Sequence, residues 1–313
     1  SPKLTKFIER FNINATDKAF EKYLNQVNPD VVHSFALYVS CNPILKIMKK
    51  YPNLKWIYSS WGSDLFYYQN IPNHRKDIKA VLPRIQYLFT DCKRDYKIAK
   101  KYGFKGEFLG VYPGGGGFKF NLEPNLQKPE ERQIILIKGF QGRSGRVIPV
   151  LKAIQNLNKE LKAFHITVFG ADQSVKNFIN KVGLQTWANF QTHERIKHKK
   201  ILELMQNARI YIGNSNSDGI PNTMLEAICF GAFPIQSNPG DATAEIIEDG
   251  VNGLLINNCG DVDHIRSLIE HALTDKILID KAFDMNRKLS KSLEFDIIKK
   301  QVLDKYQYVK SNI

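Results

Sequence analysis

The chain has 313 residues, of which 43% are hydrophobic, and a formal net charge of +14 at pH 7. This length exceeds the size at which a single hydrophobic core usually stops growing, so two globular domains are predicted. No apolar run approaches the roughly 18 residues that suggest a membrane span, and no tract has low complexity, so the composition predicts a soluble protein.

Short apolar runs alternate with helical patterns along the first half of the chain. Repeated alternation of this kind is typical of a parallel sheet wound by crossover helices. The predicted strands are 30–35, 54–58 and 86–90, and the helical patterns fall near 16–27, 40–50, 73–82 and 92–102. A Gly and Pro cluster at 112–117 and a polar stretch to Pro129 then predict a linker.

The alternation restarts in the second half of the chain. The predicted strands are 133–138, 165–169, 188–190, 209–212, 233–236 and 253–256, and helical segments occupy about 261–310. Six strands with intervening helices predict a complete Rossmann-like domain. The first half begins with a helix and supplies three or four strands, which predicts that its N-terminal portion is incomplete. The predicted bounds are 1–125, 126–293 and a C-terminal helix over 294–313 that can cross back to the first domain.

Basic residues are unevenly distributed. Residues 1–125 hold 20 Lys and Arg against 10 Asp and Glu, whereas residues 126–313 hold 25 against 21. The excess in the first half indicates an anionic partner such as a lipid headgroup, a membrane face or a phosphorylated acceptor. A solvated basic surface without a partner is an equal alternative. Nucleic acid is disfavoured, because no finger, basic-zipper or RNA-recognition signature accompanies the charge.

The four cysteines are scattered along the chain at Cys41, Cys92, Cys229 and Cys259. They have neither the paired spacing of a zinc site nor the density of a disulfide framework. A cytoplasmic protein is therefore predicted, and the basic first half allows peripheral attachment to the inner face of the membrane. The sequence contains no signal for the oligomeric state.

The most informative segment joins the apolar strand 209–212 to a short helical pattern at 223–230. Its polar Gly, Asn, Ser and Pro residues form a loop, and the N-terminus of the helix points back at that loop. Unpaired N–H groups and the positive end of the helix dipole suit a phosphate or a polar sugar. Two carboxylates, Asp218 and Glu226, bracket the segment eight residues apart.

The run 218–226, followed by 230–235 and 245–256, resembles the donor-binding segment of family 4 retaining glycosyltransferases of the GT-B fold. The shared pattern is an acidic residue, Gly, an apolar residue and Pro, then a second Glu eight positions after the first. A small-residue helix, a strand with Gly and Pro, and a Glu-Ile-Ile…Asn-Gly-Leu tail follow. The chain departs from the family at Asp218, where the family usually has Glu.

The resemblance implies an α/β protein of two Rossmann-like domains that face each other across a cleft. Residues 1–125 would be the acceptor-side domain and 126–293 the nucleotide-sugar-binding domain. Glu226 would bind the nucleotide ribose and Asp218 the transferred sugar. The start of the helix would supply further contacts to the donor from Gly219, Ile220, Pro221, Asn222 and Thr223.

Each carboxylate also has a structural alternative. Thr223 and Glu226 have the spacing of a capping box, which only satisfies N–H groups at a helix start. Asp218 before Gly219 is typical of a loop residue that bonds its own backbone.

A second constellation follows the first strand of the second half, where Lys138 and Arg143 stand five residues apart. Members of the family place an Arg and a Lys at this strand end, and both contact the donor diphosphate; here the two types are exchanged. Two cations can neutralise the diphosphate and the charge that grows as the leaving group departs. A solvated basic loop is the alternative.

Weaker matches surround these residues. Ile196 stands where relatives read the base, and 170–172 resembles a Gly-rich turn. In the first half, 59–64 resembles a segment that faces the donor sugar, with Trp61 where many relatives have His. Asp64 is interpreted equally well as a sugar ligand or as a turn cap. His193 and His198 are interpreted as surface residues rather than metal ligands, since no partner stands at ligand spacing.

The resemblance therefore implies a retaining glycosyltransferase that needs no metal and no cofactor. Its donor would be a nucleotide sugar, with a UDP-sugar favoured, and its acceptor a saccharide or lipid-linked hydroxyl in polysaccharide biosynthesis. Two alternatives stay open: a nucleotide-sugar epimerase of the same architecture, and a non-catalytic module that binds a nucleotide sugar.

Overall fold

The computed structural model describes residues 16–119 and 126–313. The chain divides into two compact units, one extending to Gly114 and including Lys300–Ile313, the other comprising Gly115–Lys299. The sequence analysis divides the chain at 125/126 and 293/294 instead. The bounds differ partly because Phe118 pairs with the second unit: its N–H donates to Leu293 O, and its carbonyl accepts from Phe295 N. In the described ranges, no helix has the length and apolar character needed to span a bilayer.

The first unit contains a four-stranded parallel sheet with its strands in sequential order. Its elements are a helix over 16–27 (α1), β1 Val31–Phe35, α2 Leu45–Lys50, β2 Lys55–Ser60, α3 Pro72–Val81, β3 Tyr87–Thr90, α4 Lys93–Lys101 and β4 Glu107–Val111. The three predicted strands are confirmed. Sequence analysis missed β4, an edge strand whose residues, apart from Leu109, are half-buried or exposed and therefore give a weak apolar signal.

Side chains from both faces of this first sheet are buried. Along β2, Trp56 and Tyr58 pack on one face and Ile57 on the other, as the two-residue period of a strand requires. The C-terminal helix α11, Phe295–Lys310, contributes Val309 to the Ile57 face. The hydroxyl oxygen of Tyr306, on the same helix, lies 2.7 Å from Nδ1 of His33. Residues 300–310 are thus part of the packing of the first unit.

The second unit contains a six-stranded parallel sheet in the order β10-β9-β8-β5-β6-β7. Its elements are β5 Ile134–Lys138, α5 Val147–Gln155, β6 His165–Phe169, α6 Gln173–Val182, β7 Phe190–His193, α7 His198–Gln206, β8 Ala208–Gly213, α8 Asn222–Cys229, β9 Phe233–Ser237, β10 Leu254–Ile256, α9 Val262–Thr274 and α10 Lys276–Ser292. Five of the six predicted strands are confirmed over most of their length, whereas the strand predicted at 188–190 lies at Phe190–His193 instead. The order reverses between β5 and β8, and ligands of doubly wound sheets bind at the carboxyl ends of the strands flanking such a point.

The central strands of this sheet read as nearly continuous apolar runs because helices cover both faces. Ile135, Leu136 and Ile137 of β5 are fully buried. A buried arginine fixes the position of α8: Nη1 of Arg132 donates to the carbonyl of Ala208, at the start of β8, and to that of Phe230, directly after α8. These bonds tie the helix to the strand that precedes it.

Candidate functional site

The loops that leave β5 and β8 are joined to each other at the carboxyl edge of the second sheet. Arg146 N donates to Asn214 O (2.9 Å), and Nδ2 of Asn214 donates to Arg146 O (2.8 Å). Asn216 N also donates to Ser144 O (2.9 Å), and Gly145 pairs with Ser215. Two segments about 70 residues apart in sequence therefore form one surface at the switch point.

Lys138 and Arg143 lie at the end of β5 and in the loop that follows it. Lys138 is the last residue of β5 and is half-buried, whereas Arg143 lies exposed in the loop. The loop doubles back tightly at Gly145, where a Cβ would lie 2.3 Å from Phe140 O. Only glycine fits such a contact without a backbone shift. The turn brings Arg143 next to the residues that bond the β8 loop.

The β8 loop ends at the N-terminus of α8. Asp218 is half-buried, and its Oδ1 accepts a hydrogen bond from the backbone N–H of the next residue, Gly219 (3.0 Å). This bond is the local one expected of an Asp before Gly. Helix α8 begins at Asn222 with Pro221 as its N-cap and without a side-chain cap hydrogen bond. The N-cap residue itself, Pro221, therefore provides no side-chain cap to this helix start.

The capping-box alternative for Thr223 and Glu226 does not hold in the structure. Because α8 begins at Asn222, Glu226 is the fifth helical residue and not the third. Its Oε1 lies 2.7 Å from Nε2 of His198, the first residue of α7. The carboxylate thus faces a neighbouring helix instead of its own helix start.

Polar atoms without partners are buried near the end of β8. The Tyr211 hydroxyl, Asn214 Oδ1 and Gln236 Oε1 are buried and have no hydrogen-bond partner among the described residues. Burial raises the pKa of Tyr211, and the nearby Asp218 carboxylate raises it further. Tyr211 is therefore neutral at physiological pH, and Asp218 lies close to it.

A cavity of about 400 Å³ lies beside α8, in the second unit. Its lining residues are Gly115, Gly117, Phe118, Lys119, His198, Leu202, Asn222, Glu226 and Phe230. Asn222 and Glu226 lie one turn apart on α8, and Oδ1 of Asn222 is 3.4 Å from Gly115 N. Sequence analysis missed His198 and Lys119 as lining residues, because the contacts that bring them here span 28 and more than 100 positions.

Two weaker matches in the second unit have different surroundings. Ile196 is half-buried in the loop between β7 and α7, at the same carboxyl edge as the junction. Asp172 is the N-cap of α6, and its Oδ1 accepts from Val175 N (3.0 Å). The carboxylate of the 170–172 turn, that of Asp172, therefore has a structural role as a helix cap.

Asp64 is a buried structural residue of the first unit. Its two oxygens accept from Leu37 N (3.0 and 2.7 Å), and the hydroxyl of Tyr58 donates to Oδ2. Its side chain is 5% exposed, and burial raises the pKa of Asp64 to about 6. The sequence suggested either a sugar ligand or a local turn cap. In the structure the Asp64 side chain instead connects the loop after β1 to the loop after β2.

The loops that Asp64 ties together carry exposed aromatic rings. Phe35 and Trp61 are 42% and 44% exposed, and their ring centroids lie 5.0 Å apart. Ala36, directly after Phe35, has φ of +63°, a conformation that is uncommon for residues other than glycine. The surrounding hydrogen bonds hold this strained backbone in place.

One group of potential metal ligands occurs in the described part of the chain. Oxygen and sulfur atoms of Asp91, Cys92 and Asp95 lie within 4.8 Å of one another. Asp95 already pairs with Arg94 (2.8 Å) and accepts from Ser60 Oγ (2.9 Å), and Asp91 accepts from Gly62 N (2.5 Å). These contacts describe a buried ion-pair network rather than an open coordination site.

The family of the chain follows from comparison with known proteins. The family model described as "Glycosyl transferases group 1" matches residues 118–292, more than half of the chain, and spans both loops of the junction. The chain belongs to the group 1 glycosyl transferases. The matched range contains Lys138, Arg143, Asp218 and Glu226, so the resemblance seen in the sequence is confirmed.

Two curated relatives of this group 1 glycosyl transferase share 25% and 22% sequence identity with it. The GtfA subunit of the UDP-N-acetylglucosamine–peptide N-acetylglucosaminyltransferase of Streptococcus pneumoniae is 25% identical over 167 residues, covering 50% of this chain and 31% of the relative. An α-1,4-N-acetyl-D-galactosaminyltransferase of Campylobacter jejuni, named for a diNAcBac-PP-undecaprenol substrate, is 22% identical over 182 residues, covering 58% of this chain and 50% of the relative. The chain spans half or less of the length of these relatives.

Solved structures confirm the predicted fold. Sucrose-phosphate synthase from Thermosynechococcus elongatus matches with a TM-score of 0.75 at 14% identity, covering 95% of this chain and 77% of that one. The pneumococcal O-GlcNAc transferase GtfA, in complex with UDP and GlcNAc, matches with a TM-score of 0.69 at 13% identity, covering 93% and 60%. At these identities the likeness supports the GT-B fold class and not a shared substrate.

Replacement of Asp64 by Asn tests its structural role through pH. Its folded pKa of about 6 exceeds the ordinary value of 3.8, so its contribution to stability is fully present below pH 4 and is lost as pH rises through 6. In the Asp64→Asn variant the side chain does not titrate, so this decrease in stability with rising pH is absent. We expect the unfolding free energy of Asp64→Asn, relative to the unmodified protein, to increase by up to about 3 kcal/mol between pH 4 and pH 6.

The measurement is urea unfolding of both proteins at several pH values. Taking the difference between the two cancels the titration of all other groups. A difference that is constant with pH would show that Asp64 does not titrate in this range.

Proposed function

We propose that the chain is a retaining glycosyltransferase that moves a sugar from a UDP-sugar to an acceptor hydroxyl. The observation that carries the proposal is the junction of the β5 and β8 loops at the switch point of the second sheet. Because these two loops bond each other, we infer that Lys138, Arg143, Asp218 and the start of α8 share one surface within a single unit. A nucleoside diphosphate sugar has a matching set of groups.

The diphosphate would be bound by Lys138, Arg143 and the start of α8. A helix N-terminus offers N–H groups and a partial positive charge to an anion, and here the N-cap residue, Pro221, makes no side-chain cap hydrogen bond. Two cations nearby add charge-assisted hydrogen bonds. The combination is more specific than a helix N-terminus alone, because the cations come from a different strand.

The remaining parts of the donor would lie on either side of the diphosphate. Asp218, in the middle of the β8 loop, would accept hydrogen bonds from the transferred sugar, and Glu226, one turn into α8, from the ribose hydroxyls. Ile196 lies on the same carboxyl edge, where it would contact the base. Gly219, Ile220, Pro221, Asn222 and Thr223 would supply the backbone and side-chain surface between these ends.

Catalysis would come mainly from stabilising the leaving group. The bond between the anomeric carbon and the β-phosphate oxygen breaks, so negative charge grows on the diphosphate, while the acceptor oxygen forms the new bond and passes its proton to the departing diphosphate. Lys138, Arg143 and the helix N-terminus lie where that charge develops. Since these groups neutralise the diphosphate, we propose that the protein needs no metal ion, and the family resemblance favours retention of the anomeric configuration.

The names of the relatives suggest which donors to test first. One relative is named for UDP-N-acetylglucosamine and the other for N-acetylgalactosamine transfer. We propose a UDP-N-acetylhexosamine as the donor. Incubation with UDP-GlcNAc or UDP-GalNAc, alone and with candidate saccharide and lipid-linked acceptors, separates the classes: transfer requires an acceptor, whereas an epimerase converts the donor alone and a binding module leaves it unchanged.

The acceptor proposal rests on charge. Residues 1–125 have an excess of ten basic residues over acidic ones, which favours an anionic acceptor. The Campylobacter relative is named for an undecaprenol-diphosphate-linked substrate. We propose a saccharide or lipid-linked acceptor, reached by a cytoplasmic protein at the anionic inner face of the membrane.

The diphosphate contacts are tested by Lys138→Ala and Arg143→Ala. Each change removes a hydrogen bond to a charged group, so UDP binding should weaken by about 1.5 to 3 kcal/mol. Isothermal titration calorimetry with UDP measures the change. Lys159→Ala is the control, because this exposed lysine lies before β6, at the opposite edge of the sheet. Unchanged affinity in both site variants would remove them from the phosphate site.

The sugar contact is tested by Asp218→Asn. Because the proposed contact is with the transferred sugar, kcat for transfer should fall on the order of 10- to 100-fold, the value of one hydrogen bond to a charged group. The Kd for UDP should change little. Asp263→Asn on α9 is the control, since its side chain is 83% exposed and distant in sequence from both loops. A variant with weakened UDP binding and normal kcat would place Asp218 at the nucleotide instead.

The membrane proposal is tested by flotation with liposomes that contain anionic lipid. Electrostatic attachment predicts co-flotation at low salt and release at high salt, because salt screens charges beyond about 10 Å at 0.1 M. Vesicles of zwitterionic lipid are the control and should not bind. Absence of co-flotation at low salt would contradict membrane attachment and leave the donor site unaffected.

A further inference from the structure

Packing of α7 against α8 brings two side chains together that lie 28 positions apart in sequence. Nε2 of His198 is 2.7 Å from Oε1 of Glu226. A carboxylate accepts hydrogen bonds and does not donate them, so Nε2 carries the hydrogen and donates it. The contact therefore fixes both the tautomer of the ring and the position of one carboxylate oxygen.

The two partners differ in exposure. The side chain of His198 is 64% exposed, whereas that of Glu226 is 15% exposed. An ion pair between two exposed side chains contributes little to stability and restricts neither partner strongly. Here an exposed ring at the first residue of one helix holds a mostly buried carboxylate on the other helix. The main consequence is the orientation of Glu226.

The carboxylate keeps most of its acceptor capacity. Two oxygens offer about four acceptor positions, and within residues 16–119 and 126–313 the bond from His198 is the one hydrogen bond made to the Glu226 side chain. Both residues line the 400 Å³ cavity, together with Asn222 one turn earlier on α8. A ligand with neighbouring hydroxyl groups could therefore bond the second oxygen.

We propose that His198 is a positioning residue that holds Oε1 of Glu226 so that Oε2 accepts the 2′-hydroxyl of a bound ribose. This inference rests on the proposed function, since it requires a nucleoside diphosphate at this site. It deepens that function by assigning selectivity: the protein should distinguish a ribonucleotide from its 2′-deoxy counterpart, and that distinction should depend on His198.

A surface pair on the same helix provides a matched comparison. Lys200 and Glu203 of α7 lie 3.0 Å apart, with side-chain exposures of 58% and 45%, and neither lines the cavity. Removal of this pair changes the charge of α7 without altering the proposed site. His198→Gln is a second comparison, because the Gln side chain retains a neutral N–H donor that can reach a carboxylate.

The test is calorimetric titration of the 313-residue protein with UDP and with 2′-deoxy-UDP. His198→Ala should weaken UDP binding roughly 3- to 10-fold, the size of one ordinary hydrogen bond, and 2′-deoxy-UDP binding less than about twofold. His198→Gln should recover most of the loss for UDP. Lys200→Ala should bind both ligands as the unmodified protein does.

The outcomes separate this inference from the function on which it rests. Equal weakening of both ligands by His198→Ala, or no weakening of either, overturns the positioning role while UDP binding itself stands. If the unmodified protein does not bind UDP, the proposed function fails and the role of His198 fails with it. Loss of both ligands in His198→Ala accompanied by a lowered melting temperature, without recovery in His198→Gln, assigns the residue a structural role.

Discussion

The hydrogen bonds between Arg146 and Asn214 are the interaction on which the candidate site depends. Each of the two residues bonds the other, so two loops from strands about 70 residues apart are held as one surface. Without this junction, the loop that contains Arg143 and the loop that contains Asp218 would be positioned independently of each other. A buried hydrogen bond contributes only about 0.5 to 1.5 kcal/mol to stability, but it fixes geometry that binding energy would otherwise have to supply.

Two loops are also joined in the first unit. There the connecting group is the buried carboxylate of Asp64, whereas in the second unit it is the side-chain amide of Asn214. Asp64 accepts from Leu37 N and from Tyr58, and so joins the loops that follow β1 and β2. The strained backbone at Ala36 is held on one side by the bond from Leu37 N to Asp64 and on the other by its own N–H, which donates to Ser59 O (3.1 Å). The carboxylate is thereby used for structure, and the exposed surface between the loops consists of the Phe35 and Trp61 rings.

Much of the fold could be predicted because its signals are local. The apolar runs of β5 and β8 and the Gly, Pro and Asn residues before α8 gave the strands, the exit loop and the helix. β4 was missed because an edge strand buries few side chains. The capping-box alternative for Glu226 was wrong for a related reason: Thr223 and Glu226 have the right spacing, but the helix starts at Asn222, two residues earlier than the pattern requires.

By itself, the sequence determined the two α/β units and the residue types at the carboxyl ends of β5 and β8, since these depend on periodicity or spacing within a short segment. It indicated the family through the resemblance of 218–256 to a known donor-binding segment. The tertiary structure alone decided which side chains meet. His198 reaches Glu226 because α7 packs on α8, and Asp64 is buried because two loops close over it. Such contacts join residues far apart in the chain, and their formation depends on how whole elements pack.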